Sequence, residues 1–340
     1  MTPVQAKEFY RSMLLARLFE ERAAREYQDG HIGGFLHLYP GEEAVAVGAI
    51  QASDQGDYVV STYREHVHAL VKGISPRRIM AELFGKSEGV SGGLGGSMHI
   101  FDRSLRFFGG WAIVGETFPV AIGVGYAIRL RNDADVCLCF FGDGAVNQGT
   151  FHESLNMAGL WKLPVLFVCE NNRYQIGTEI HRHSAVTDMA RRASVYGIGT
   201  WKADGMDVES VFGVVRMAIE KIRRGEGPQF VECETYRFRG HSMADPSSYR
   251  PQAESAGFLL QDPLKMGIFQ GCPGKDCLEI FSERCRSGNS LSEEELLSVR
   301  QEIEATIDDA VLYARDAREP GIEDLEKAWG IPLWERTSGD

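Results

Sequence analysis

Three short apolar runs separated by helix-length segments constrain this chain more than any other feature: residues 136–141, the stretch "PVLFVCEN" and the stretch "QFVECETYRF". Each is shorter than a typical helix and rich in β-branched or aromatic residues, so each reads as a strand. Helices are expected at 147–160, between the first two runs, and at about 207–223, before the third. Strand, helix, strand, helix, strand predicts an α/β fold with a parallel sheet covered on both faces. Ligands of such sheets bind beyond the carboxyl ends of the strands. Two adjacent runs end there in polar signals, Gly142-Asp143-Gly144 and Glu170-Asn171-Asn172. Residues 145–170 hold one helix and one returning strand, so the two loops should lie side by side. Asp143 then offers one hard oxygen, Asn172 a second, and the loop "RYQIG" a backbone carbonyl. Oxygen ligands completed by phosphate make a magnesium arrangement.

The flanking segments extend this unit. A first helix over 3–29 has Thr2 as cap, Pro3 in its first turn, Gln5 completing a capping box and Gly30 as stop. A second helix is expected from near Gly41, and "YVVSTYREHVHALVKG" reads as a strand running into a helix. "GVSGGLGGSMH" is too glycine-rich for a regular element and predicts a mobile or ligand-wrapping loop. From 115 to 130, Ala121, Gly123, Gly125 and Ala127 give a helix that another backbone, in this chain or another, can approach closely. Ser292 with Glu295 forms a second capping box, inside a helical tail expected from about residue 255. The whole chain, 1–340, reads as a single α/β domain with helical extensions at both ends.

Charge and cysteine content narrow the function. With 36 Lys and Arg against 48 Asp and Glu, the formal charge of -12 leaves no basic field for nucleic acid or an anionic membrane. The seven cysteines show neither a disulfide frame nor zinc spacing. Cys137 and Cys139 alternate within a strand and read as core, while Cys272 and Cys277 read as reduced thiols in a loop. A reducing, cytoplasmic setting follows. No apolar run is long enough to span a bilayer, and the acidic residues of the first helix mark it as structural rather than a signal or transit peptide.

The pair Gly142-Asp143-Gly144 and Asn171-Asn172 is similar to the thiamine diphosphate binding motif. Its surroundings, "GDGAVNQGTFHESLNMAGLWKLPVLFVCENNRYQIGT", resemble the alpha subunit of the decarboxylating component of 2-oxo acid dehydrogenase complexes. The resemblance extends over most of residues 5–250, through "GFLHLYPGEEAVAVG", "STYREH", "GGLGGSMH", "FPVAIGVGYAI", "ADGMDV" and "TYRFRGHSMADPSSYR". It implies the thiamine diphosphate-binding fold and that cofactor with Mg²⁺. Asp143, Asn172 and the carbonyl of Tyr174 would hold the cation, and the backbone of Gly144 and Ala145 would meet the diphosphate. Tyr63 and Arg64 would contact the diphosphate too, the arginine through its fork of donors. The carbonyl of Ala112, where relatives often carry Gly, and Val114 would grip the aminopyrimidine. Ile176 would be the wedge that bends the cofactor, and His241 would move protons during acyl transfer.

The resemblance further implies that the glutamate paired with the aminopyrimidine comes from a separate beta subunit. The expected assembly is two alpha and two beta chains, with helix 119–127 as a candidate for interchain packing and no activity from the isolated chain. It would decarboxylate a 2-oxo acid and pass the acyl group to a lipoyl-bearing dihydrolipoamide acyltransferase. "TYREH" and "RGHSMADPSSYR" look closer to pyruvate dehydrogenases than to acetoin or branched-chain enzymes. Two readings stand beside this one: a silent scaffold of the same fold, and a nicotinamide-binding protein, whose glycine fingerprint is missing from the required context. His37 and His99 stand open between catalysis and structure. His66 and His68 read as structural, His181 and His183 as residues of a mobile loop without a metal role, and Arg191 and Arg192 as solvated. Ser242 and Ser248 lie where animal relatives are phosphorylated, and Glu179 replaces a third such serine. No kinase switch is expected here.

Overall fold

The computed structural model describes residues 1–250 and 276–329. The three apolar runs become β3 (Cys137–Gly142), β4 (Val165–Asn171) and β8 (Gln229–Glu234). They form one sheet with β1 (Tyr58–Thr62), β2 (Phe107–Trp111) and β7 (Gly199–Asp204), in the order β2-β1-β3-β4-β8-β7 and parallel throughout, while β5 (Tyr174–Gln175) and β6 (Thr178–Glu179) form a separate antiparallel pair. The chain moves outward from β1 to β2, then returns to place β3 on the other side of β1. This reversal opens a crevice at the carboxyl ends of β1 and β3, where parallel sheets take their ligands.

Alternation along the strands divides the core into two layers. Leu138 and Phe140 of β3, with Val59, Leu166, Val168 and Val231, pack toward α1 (Pro3–Gln28), α2 (Glu43–Gln51), α3 (His66–Val71), α4 (Pro76–Leu83), α9 (Val208–Arg223) and the helix Glu293–Asp316. Cys137, Cys139 and Phe141, with Val60, Val165, Phe167 and Phe230, face α5 (Thr117–Arg131), α6 (Gly149–Trp161), α7 (Ile180–His183) and α8 (Met189–Ser194). The core role expected for Cys137 and Cys139 follows from this placement. The fold class is that expected, an α/β parallel sheet with helices on both faces.

The helix signals hold where caps carry them. Gln5 N donates to Thr2 Oγ1 at 3.2 Å, a side-chain cap without the return bond of the expected box, whereas the Ser292–Glu295 box is reciprocal. Three expectations need correction. Cys277 is not in a loop: it opens the helix Cys277–Ser287 and is buried, whereas Cys272 and the start of the tail at 255 lie outside the described residues. The small residues of α5 do not make one outward face. Ala121 and Gly125 turn inward, and a Cβ on Gly125 would sit 2.6 Å from Val165 Cγ2, while Gly123 opens to solvent. Of the two roles expected of the glycine-rich loop, mobile or ligand-wrapping, the first does not hold, because the loop is pinned. Glu82, fully buried, accepts backbone N–H bonds from Ser91, Gly93, Gly95 and Gly96 at 2.7–2.9 Å.

Candidate functional site

At the strand ends lies a cleft of about 280 Å³. It is lined by all eleven residues singled out in the sequence: Tyr63, Arg64, Ala112, Val114, Asp143, Gly144, Ala145, Asn172, Tyr174, Ile176 and His241. Tyr63 and Arg64 follow β1, Ala112 follows β2, Asp143 follows β3 and Asn172 follows β4. Strand register therefore brings them together across large sequence separations.

Asp143 opens a short 3-10 turn, Asp143–Asn147, and is 1% exposed. Its Oδ2 has no hydrogen-bond partner, which is costly for a buried oxygen unless a ligand meets it. Asn172 is held on both sides: Oδ1 accepts from Tyr174 N at 3.1 Å, and Nδ2 donates to Glu42 Oε1 at 3.0 Å. The donor set is hard oxygen, which fits Mg²⁺. Behind Asp143 stands His183, with Nε2 3.3 Å from Oδ2 but outside hydrogen-bond alignment. His183 was expected in a mobile loop, yet its side chain is 7% exposed and its Nδ1 lies 2.9 Å from Ser184 Oγ. Arg192 also departs from the solvated role expected of it. It donates to Val146 O at 2.8 Å and Asn147 Oδ1 at 2.9 Å, fixing the turn that carries Gly144.

Two arginines supply positive charge. Arg64 is buried and donates to the carbonyls of Leu38, at 2.5 Å, and His241, at 2.8 Å, so part of its fork is already engaged. Burial, then the neighbouring Arg237, lowers its pKa. Arg237 is 2% exposed, lines the cleft and leaves Nη2 without a partner. A buried guanidinium N–H with nothing to meet it, beside a second arginine, fits an anionic ligand. Arg237 was missed in the sequence, although it stands four residues before His241 in the quoted "TYRFRGH".

Three rings meet near the arginines. His37 lies 4.5 Å from Tyr63 and 5.2 Å from His241, centroid to centroid, and Tyr63 lies 5.7 Å from His241. His37 thus belongs to the cleft, whereas His99 is outside its lining and contacts Gly110 O through Nδ1. Burial, then the charge of Arg64, pushes His37 down to about 2. The same causes with Arg237 push His241 down to about 3. Both rings are therefore neutral, and the Nδ1 of each lacks a partner. The His241 loop is tied by Asp245, which accepts from His241 N at 2.6 Å, Ser247 N at 2.9 Å and Tyr249 Oη at 2.6 Å.

Deeper acids complete the floor. Tyr39 Oη donates to Glu170, and His68 Nε2 lies 3.1 Å from Glu170 Oε1. Burial, then the charge of Glu170, raises the Glu42 pKa to about 7. His66 pairs with Glu20 at 3.0 Å and Ser97 Oγ at 2.9 Å, so His66 and His68 are structural as expected. At the mouth, Ile176 is 60% exposed and has φ of +55°. A β-branched residue in that region costs about 1–3 kcal/mol and persists where function requires it.

The chain matches the model of the family described as the dehydrogenase E1 component over residues 10–323. It belongs to the dehydrogenase E1 family. Members of this family depend in general on thiamine diphosphate, in keeping with a cleft that offers both buried arginines and hard oxygens. Among the relatives is the pyruvate dehydrogenase E1 component subunit alpha of Porphyra purpurea, 41% identical over 325 residues, covering 94% of this chain and 90% of that one. The subunit of the same name from Rhizobium meliloti is 43% identical over 316 residues, covering 93% and 87%. That of Zymomonas mobilis is 42% identical over 323 residues, covering 94% and 86%. Among the described residues no helix is long and apolar enough to cross a membrane.

Proposed function

We propose that this chain is the alpha subunit of a pyruvate dehydrogenase, working as two alpha with two beta subunits in a single-domain, cytoplasmic form. The reaction is oxidative decarboxylation of pyruvate, with transfer of the acetyl group to the lipoyl arm of a dihydrolipoamide acyltransferase. The convergence of an orphaned carboxylate, an oriented Asn172 and two buried arginines in one strand-end cleft carries this reading. The names of the relatives favour pyruvate over acetoin or branched-chain 2-oxo acids.

Asp143, Asn172 Oδ1 and the Tyr174 carbonyl hold Mg²⁺, while Arg64 and Arg237 offset the diphosphate charge and the N–H groups of Gly144 and Ala145 meet its oxygens. The Ala112 carbonyl and Val114 would hold the aminopyrimidine, and Ile176 would be the apolar side chain against which the cofactor rests. Thiamine diphosphate, when bound, supplies the carbanion and the electron sink for loss of CO₂. His241 is neutral before binding. The negative charge of the diphosphate stabilises its protonated form, which moves its pKa upward toward the range useful for proton transfer. The glutamate that pairs with the aminopyrimidine comes from the beta subunit, so the isolated chain is inactive.

The test is turnover of the chain co-expressed with its beta partner, with pyruvate, branched-chain 2-oxo acids and acetoin assayed in parallel. Pyruvate-selective decarboxylation is expected. Turnover of another of these substrates would keep the cofactor site and reassign the substrate, and no turnover by a well-formed assembly that binds the cofactor would favour the silent scaffold.

A further inference from the structure

Glu42 and Glu43 are adjacent buried acids with separate work. Glu43 is engaged by Arg17 through two bonds, at 2.5 and 3.0 Å. Glu42 instead lines the cleft, is 1% exposed, and accepts from Asn172 Nδ2 at 3.0 Å. The preceding Gly41 makes this placement possible. Its φ is +103°, and a Cβ there would overlap the Tyr236 carbonyl oxygen and the Phe238 ring.

An asparagine amide offers an acceptor on one side and donors on the other, so its neighbours decide which end faces a cation. In this cleft the Tyr174 N–H requires an acceptor and the Glu42 oxygen requires a donor. A flipped amide would set N–H against N–H on one side and oxygen against oxygen on the other. The Tyr174 contact opposes the flip with one bond, and the Glu42 contact adds the second.

We propose that Glu42 is a positioning residue that fixes the Asn172 amide so that Oδ1 is presented to the divalent cation. The inference rests on the cation role proposed above for Asn172. Glu42 does not touch the cation itself but sets the orientation of a group that does, and such partners typically govern metal affinity by 10–100-fold.

The probe is Mn²⁺, followed by electron paramagnetic resonance in the assembled alpha–beta protein with saturating thiamine diphosphate. Glu42→Met, which fills the space without an acceptor, is expected to weaken Mn²⁺ binding by about 10–100-fold, whereas Glu42→Gln, which keeps an acceptor at the same reach, stays within about threefold of the native protein. A purely structural role would not be rescued by Gln in metal affinity. Unchanged affinity in the Met variant, or equal weakening by Gln and Met, overturns the proposal. If the Met variant does not fold, Glu42→Asp decides: it keeps the acid but draws it back by one methylene, so weakening is expected and native affinity overturns. A native assembly that binds no Mn²⁺ overturns the cation site and this inference together, whereas native binding with an unaltered Met variant overturns the inference alone.

Discussion

Glu82→Gln offers a sharp test of how the glycine-rich loop is held. The two oxygens of Glu82 share four backbone donors: Oε2 accepts from Ser91 and Gly93, Oε1 from Gly95 and Gly96. Gln keeps the size but replaces one oxygen with a donor, so two N–H groups lose their acceptor and face N–H instead. Hydrogen bonds to a charged group contribute about 1.5–3 kcal/mol each, so losing two costs about 3–6 kcal/mol. The four amides lie in a partly solvated loop, where water recovers some of this, so the lower half of the range is expected. That loss falls on local opening, because the loop lies outside the sheet. Exchange of the Ser91, Gly93, Gly95 and Gly96 amides, measured by mass spectrometry of the peptide that spans them, should quicken by about a hundred- to a thousandfold, since ~1.4 kcal/mol is tenfold in an opening equilibrium. Protection unchanged within a factor of two would refute the anchoring role.

Other variants address the core around the cleft. Arg17 is buried with Glu43 and Asp276, so Arg17→Met leaves two buried acids without their cation and should cost about 3–5 kcal/mol in urea unfolding. A loss under 1 kcal/mol would show that the acids find other partners. Gly41→Ala combines left-handed strain with overlap against Tyr236 and Phe238. Each effect is on the order of 1–3 kcal/mol, giving about 2–6 kcal/mol, and a native-like thermal midpoint would contradict this packing. For pH, His37 and His241 titrate near 2 and 3 when folded, well below the usual value of about 6.5. Between those values and 6.5 the unfolded chain binds protons that the folded chain does not, so stability is full above about 6.5 and falls as pH falls through this window. Glu42 acts in the opposite sense between about 4.5 and 7, because its raised pKa favours the folded state at the lower pH. Without cofactor, the decline in urea midpoint from pH 7 to 5 should be shallower in His37→Gln/His241→Gln, which leaves the Glu42 contribution in place. Identical slopes would count against neutral buried rings.

The central strands were legible because both their faces are buried, which makes β3, β4 and β8 continuous apolar runs. The flanking strands were not. In β2, "FFGGW" carries two glycines and reads as a break, and β7, "GTWKAD", is a half-exposed edge strand with polar residues. The residues that line the cleft were legible through motif resemblance, which fixes residue types at strand ends. What it did not reveal depends on side chains meeting across the fold. Arg237 points to the cleft only because β8 sits beside β4, and Glu42 reaches Asn172 across 130 residues. His183 likewise looked like part of a mobile loop near the site and Arg192 like a solvated residue, and the turn at Asp143–Asn147 is what draws them in.

The most direct measurement is calorimetric titration of thiamine diphosphate into the assembled alpha–beta protein, with Mg²⁺ or with chelator, for the native chain and Asp143→Ala. Binding that requires Mg²⁺ and is lost in Asp143→Ala is the expected result. Equal binding by the native and Asp143→Ala assemblies, or binding indifferent to chelator, would contradict the assignment of this cleft to a cation-bridged diphosphate.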